Sequence, residues 1–339
     1  MGVNEFIAVG ENIHCTRIYK VGGKFVKPID GEGYVIEYTA GDEARSLPVP
    51  SEFMENADWQ AGKVKHCAVA IWLGTRGAES EQAAGSDYIG ALAIRQGAAG
   101  ASYLDINVDE FSTDVAERVD LMKWTVETVQ AAATIPVSVD SSNTDILNAG
   151  LEACDKSRGR PMINSVSLER KDAVELAASY GAVVIASAAG ESDLPTDTEG
   201  RLANLDALMP LLRDAGLADE DIHIDPLVFP ISTDGQNGPR FLDAVKAIRE
   251  KYGTAIHIVA GLSNVSFGMP NRKLINQVFS RLAVEAGADG GIVDPLQINA
   301  GILNSMDTES DGYKLAKALL MGEDEFGMNY ITASREGTL

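Results

Sequence analysis

Acidic and amide side chains recur in this chain at one kind of place, the point where a short apolar run stops. Glu11 and Asn12 end FIAVGEN (6–12), Asp105 and Asn107 lie in SYLDINV (102–108), and Asp140 closes IPVSVD (135–140). Asn164 falls in MINSVS (162–167), Ser187 ends AVVIAS (182–187), and Asp225 sits in IHIDPL (222–227). Asn264 ends IHIVAGLSN (256–264), and Asp294 lies in GGIVDP (290–295). A carboxylate such as Asp140 can accept two N–H donors from a heterocyclic edge, the arrangement that reads a guanidine-like group. Asn164 and Asp225 follow the same logic. Pro226 makes Asp225 a less obvious helix cap, because the residue before a proline favours extended backbone. Asn264, in GLSNVSFG, is an uncharged amide that donates or accepts, so it can follow a reacting atom through a change of protonation. The plainer reading stands beside each of these: Asp and Asn also cap helices and form turns.

These runs imply the elements that must hold them. Eight β-branched runs alternate with Ala/Leu/Glu-rich segments at about 112–132, 143–154, 170–180, 198–215, 238–251, 271–286 and 311–320, the βαβα pattern of a parallel sheet. Ser112 with Thr113, and Asn143 with Thr144, are expected caps. A doubly wound open sheet can use the same alternation, but its glycine fingerprint is missing, since Gly10 leads into Glu11 and Asn12. A polar residue at the end of every run favours a (β/α)8 barrel, whose strand ends carry the chemistry. The fold class expected is therefore α/β, a TIM barrel formed by residues 1–339 as one domain. Residues 16–81 interrupt the pattern. GGK and DGEG look like turns between RIYKV, FVKPI and YVIEY, which predicts a small β-hairpin inserted after strand 1. A lid, a partner-docking surface and a dimer contact are equally open for it.

Composition narrows the field further. With 28 basic and 50 acidic residues the net charge is −22, which repels phosphate backbones and anionic lipid, so neither nucleic acid nor membrane is an expected partner. There is no apolar run of membrane-spanning length, and the N-terminus lacks the basic-then-apolar pattern of a secretory signal. Three cysteines (Cys15, Cys67, Cys154) form no CxxC pair, and a reducing cytoplasm is the expected compartment. The adjacent pairs His14/Cys15 and His66/Cys67 raise zinc as an alternative, but neither has the spacing that turns both side chains to one ion, so no metal is expected. His223 and His257 begin strands and read as structural. No GxxxxGK[ST] loop and no GxSxG elbow occurs.

Taken together, VGENIH, YLDINVD, VSVDSSN, MINSVSLE, HIDPLVFP and above all GLSNVSFGMPNRKLINQVF resemble the pterin-binding methyltransferases that exchange a methyl group between tetrahydrofolate and a corrinoid. The matching motifs run in the family's order from about 5 to 295, apart from the 16–81 insertion. The resemblance implies a homodimeric barrel, tetrahydrofolate or 5-methyltetrahydrofolate as substrate, and a corrinoid (cobalamin) brought by a partner protein. It implies that Asp140, Asn164 and Asp225 hold the pterin ring, and that Asn264 hydrogen-bonds N5, the methyl-bearing atom. Asn264 and Asp140 are thus the expected catalytic residues. Glu11, Asp105, Asn107, Gly261, Ser263 and Arg272 complete the expected folate site, the arginine with an undefined role. His14 departs from the usual Asn of the first motif, Phe267 and Gly268 stand where Gln and Asn often follow, and the insertion is not shared. Three alternatives remain: a dihydropteroate synthase-like enzyme (whose DSFSDGG-type loop is missing here), a zinc-dependent corrinoid methyltransferase, and a non-catalytic folate-binding barrel.

Overall fold

The computed structural model describes residue 3, residues 5–31 and residues 33–339. Glu32 of the DGEG turn and the N-terminal residues 1, 2 and 4 lie outside the described residues. Eight parallel strands close into a barrel in sequence order. They are β1 (Ile7–His14), β2 (Tyr103–Asn107), β3 (Val137–Asp140), β4 (Met162–Val166), β5 (Val183–Ser187), β6 (Ile222–Asp225), β7 (His257–Ala260) and β8 (Gly290–Val293). Strands covered on both faces read as continuous apolar runs, which is why all five residues of β5 are buried. In β8 the pair Gly290 and Gly291 has a steric cause. A Cβ on Gly290 would stand 2.0 Å from the carbonyl oxygen of Ile7, whose strand pairs alongside.

The helices follow the expected alternation closely: Val115–Ala132, Thr144–Ala153, Asp172–Tyr180, Thr198–Asp214, Asn237–Tyr252, Arg272–Ala286 and Asp311–Leu320. Their caps matter for the site. Asn143 accepts from the backbone N–H groups of Asp145 and Ile146, so Asp140 is not the cap of its helix. Before Val115–Ala132 the cap is Asp114, which accepts from Ala116; Ser112 instead accepts from the backbone of Asp114. The run at 256–264 corrects an expectation too. The strand ends at Ala260, and Leu262–Ser266 forms a 3₁₀ helix that turns Asn264 outward.

The insertion is more than one hairpin. Val26–Pro28 and Tyr34–Ala40 do form the antiparallel pair expected across DGEG, but Glu43–Pro48 adds a third strand. Ile18–Lys20 pairs with Lys63–Lys65, and across GGK there is an isolated parallel bridge from Val21 to Val26 in place of a hairpin. Ile36 and Leu47 are fully buried, and Tyr38 and Arg45 both reach Asp87 on the helix Glu79–Ala98. Among the described residues no helix is long and apolar enough to cross a membrane.

By compactness the chain forms two units. One comprises Met1–Gly10, Gly100–Ser102 and Met162–Leu339; the other comprises Glu11–Ala99 and Tyr103–Pro161. The expected site residues divide between them.

Candidate active site

In the unit that holds the ends of β1, β2 and β3, the polar side chains form one network. Asp105 is fully buried, and the Nε2 of His14 lies 2.7 Å from its Oδ2. The same nitrogen is 3.9 Å from an oxygen of Asp140. Asn107 accepts from the backbone N–H of Asp109 at 3.0 Å, and its side chain hydrogen-bonds Asp140. Burial, then the charge of Asp105, pushes the Asp140 carboxyl well above the ordinary carboxylate range, while His14 and Asn107 oppose the shift. Glu11 is engaged by Arg17, whose guanidinium lies 2.7 Å from the carboxylate and also donates to the Glu11 carbonyl at 2.9 Å.

Asp109 had no place in the sequence reading, yet it holds the turn that follows Asp140. Ser141 and Ser142 donate their hydroxyls to it at 2.6 and 2.9 Å, and the backbone N–H of Ser142 donates at 2.8 Å. Only the D-x-x-x-D spacing from Asp105 within YLDINVD hinted at it.

In the other unit, β4 presents Asn164, half-buried, and β6 ends at Asp225. Asp225 accepts from the backbone of Leu227 at 2.8 Å and from the N–H of Gly261. Those bonds pull its carboxyl down, but burial outweighs them and pushes it up to about 6. Beyond β7, Gly261 leads into the turn that carries Ser263 and Asn264. A Cβ on Gly261 would come within 3.1 Å of the Asn264 amide nitrogen, so the close approach favours glycine. Asn264 is exposed while its backbone is tied: its N–H donates to Gly261 and its carbonyl accepts from Phe267. Arg272 receives a role here. It donates to the Ser266 hydroxyl and to the Ser263 carbonyl, both at 2.9 Å, and so pins the turn on either side of Asn264.

A second arginine escaped the sequence reading. Arg201 is 1% exposed, donates to the Pro226 carbonyl at 2.5 Å and the Leu227 carbonyl at 3.3 Å, and lies over the ring of Phe229. Leu227 holds a left-handed backbone, φ 69°, that a side chain rarely adopts, and Arg201 braces that turn. Arg201→Met keeps much of the apolar volume but leaves two carbonyls without their charged donor. It should lower the unfolding free energy by about 2–4 kcal/mol. Chemical denaturation checks this, and a variant as stable as the wild type would remove Arg201 from the role.

Among the described residues the His14/Cys15 and His66/Cys67 pairs do not join into a group of three or more ligand atoms, although the Cys67 sulfur lies 3.4 Å from His66. His66 is buried, stacked on Tyr19 at 4.0 Å between ring centres, hydrogen-bonded to Tyr88, and pushed down to about 3 by burial. Burial raises the Cys15 thiol to about 11 and the Cys67 thiol further still. Among the described residues the one group of three ligand-type side chains with atoms within 4.8 Å of one another is His14, Asp105 and Asp140. At the opposite strand ends His223 and His257 lie with tilted rings 4.8 Å apart, and His257 lies 3.8 Å from Asp289, which agrees with a structural role.

The closed parallel barrel sets the fold class, and a family model supplies the family. The description "Pterin binding enzyme" matches residues 79–294, and the chain belongs to that family. Over 254 residues the chain is 30% identical to a methylcorrinoid:tetrahydrofolate methyltransferase of Eubacterium limosum, covering 73% of this chain and 87% of that protein. It is 33% identical over 214 residues to the methionine synthase of Mycobacterium tuberculosis, covering 59% of this chain but 17% of that longer protein. A solved dihydropteroate synthase of Xanthomonas albilineans in complex with 7,8-dihydropteroate superposes with a TM-score of 0.52 at 18% identity, covering 69% of this chain and 85% of that one. That likeness is one of fold.

Proposed function

We propose that this enzyme moves a methyl group between a corrinoid carried on a partner protein and N5 of tetrahydrofolate. The observation that carries the reading is the similarity to the Eubacterium limosum methyltransferase, because it extends over most of both chains. The dihydropteroate synthase reading rests on fold alone at 18% identity.

The chemistry fits the kinds of side chain available. Methyl transfer is an in-line displacement at carbon, with the corrinoid supplying or taking the methyl group, and it needs no nucleophilic side chain. It needs a positioned folate and control of the proton at N5. We assign Asp140, Asn164 and Asp225 to the pterin ring and Asn264 to N5. Asp105 and Asn107 act on Asp140, while Gly261, Ser263 and Arg272 act on the Asn264 turn. Glu11 is assigned to the end of β1 with Arg17. A homodimer in the cytoplasm that meets its corrinoid on a separate protein completes the proposal.

Mixing the protein with methylcobalamin and tetrahydrofolate should yield 5-methyltetrahydrofolate, with loss of the methylcorrinoid absorption. Turnover should persist after chelator treatment, read by elemental analysis beside the assay. No methyl exchange in either direction, with free or protein-bound corrinoid, would sink the proposal and leave a folate-binding barrel. Activity abolished by metal removal and restored by zinc would replace it with the metal-dependent alternative.

A further inference from the structure

His14 ends β1 beside two carboxylates, and the folate reading has no task for it. Its surroundings are specific. Its Nε2 is 2.7 Å from the fully buried Asp105 and 3.9 Å from Asp140, on the strands β2 and β3. We propose that His14, anchored by Asp105, is a positioning residue that supplies the positive charge keeping Asp140 ionised, so that pterin affinity follows the protonation of His14. The proposal rests on Asp140 being a pterin anchor.

The argument begins with a charge count. Two carboxylates near one imidazole nitrogen repel each other by several kcal/mol at short range in a partly buried setting, roughly 4 kcal/mol at 4 Å with an effective dielectric of 20. A neutral imidazole offers one N–H, and at Nε2 that donor is spent on Asp105. Asp140 then has the Asn107 side chain as a neutral partner, and a cation close by is what offsets the charge of Asp105. Arg17 is the other cation nearby; it is ion-paired with Glu11 at 2.7 Å, and its charge opposes that of His14. The groups that act most strongly on His14 include Asp105, Asp140 and Arg17, and those on Asp140 include Asp105, His14, Asn107 and Asp109. Asp109 adds negative charge, although Ser141 and Ser142 hydrogen-bond it. His14, at 2.7 Å from one carboxylate and 3.9 Å from the other, is placed to act as a cation on both.

The signs agree. Burial alone would depress His14, but the hydrogen bond and charge of Asp105, with the charge of Asp140, raise it above its ordinary value. Asp140 is raised by burial and by Asp105, and His14 pulls it back. A pterin presenting N–H donors needs Asp140 ionised. Binding should then weaken on the acid side as Asp140 takes a proton and on the alkaline side as His14 loses one.

His14→Gln keeps an N–H for Asp105 and removes the charge. By calorimetry between pH 5.5 and 9, wild-type tetrahydrofolate affinity should describe a bell. In the variant the acid limb should move up by about one pH unit, the alkaline limb should vanish, and affinity at pH 7 should fall about tenfold. A variant with the wild-type profile and a native thermal melt overturns the proposal. A folate-independent readout separates this from failure of the pterin reading. The chain has four histidines, and the ring resonance missing in His14→Gln identifies His14. Its titration midpoint should lie above 6.5 and drop in Asp105→Asn. A midpoint that does not respond to Asp105→Asn overturns the proposal even if folate binds. Stoichiometric metal in the wild type that is lost in His14→Gln also overturns it, because a cation would then hold the trio in place of a proton.

Discussion

Asn264→Ala should slow methyl transfer roughly 10–10³-fold while tetrahydrofolate affinity changes by less than about threefold. The split follows from where this side chain stands. It is exposed on a 3₁₀ turn whose backbone is closed by Gly261 and Phe267 and whose flanks are pinned by Arg272, so truncation removes an amide without loosening the loop. An N5-methyl amine leaves poorly unless positive charge builds on nitrogen, and a hydrogen bond that strengthens with that charge lowers the barrier more than it favours the bound ground state. Single-turnover rates with methylcobalamin, set beside calorimetric affinities, separate the two quantities. Asn264→Asp sharpens the test, because a fixed negative charge beside N5 should weaken the dependence of rate on pH. If Asn264→Ala turns over at the wild-type rate, N5 chemistry lies elsewhere even if methyl transfer is real.

Arg272→Ala would act on the same turn by a different route, through disorder of the loop. A residue acting by position moves affinity and rate together, whereas Asn264 should move rate alone.

What could be read from the sequence, and what could not, divides along physical lines. The eight runs and most helix bounds were legible because burial on both faces of a parallel strand, and caps such as Asn143, are local signals. The strand Glu43–Pro48 was not legible. Its first four residues face solvent, so EARSLP carries no alternation and resembles a loop. The end of β7 was overrun for the opposite reason: GLSN continues the apolar run, and only the tertiary turn shows that Leu262 is already in a 3₁₀ helix. Within the site, Asp140, Asp225 and Asn264 stood out because each ends an apolar run. Their supports did not, because each is a pairing across distance: His14 with Asp105 over 91 positions, Asp109 with Ser141 over 32, Arg201 with Pro226 over 25. The sequence showed His14 beside Cys15 and suggested a thiol–imidazole ligand pair; folding buries the thiol and turns the imidazole to a carboxylate.

Asp225→Asn should separate stability from function in opposite directions. The ligand-free protein keeps this carboxyl half-buried, and desolvation pushes it from 3.8 up to about 6, although Leu227 and Gly261 donate to it. A group raised in the folded state binds its proton more tightly there than in the unfolded chain. Folding stability therefore falls as pH rises from about 4 to about 6, and above that the penalty is present in full, about 3 kcal/mol for a shift of this size. Asparagine has no charge to bury, and its one oxygen serves the two backbone donors less well. At pH 7.5 the variant should gain about 1–2 kcal/mol net in unfolding free energy, and the gain should vanish near pH 4. Ligand binding should go the other way. If Asp225 accepts N–H donors from the pterin, the variant places an amide N–H against them and forfeits charge-assisted bonds, so tetrahydrofolate should bind about 10²–10³-fold more weakly. Denaturation at pH 4 and 7.5, paired with calorimetry, reads both effects on one variant. A stabilised variant that still binds folate like the wild type would keep the buried charge as a fact of the fold and remove Asp225 from the pterin site. A variant that loses binding without gaining stability would mean that the ligand-free carboxyl is solvated well enough to carry its charge at no cost.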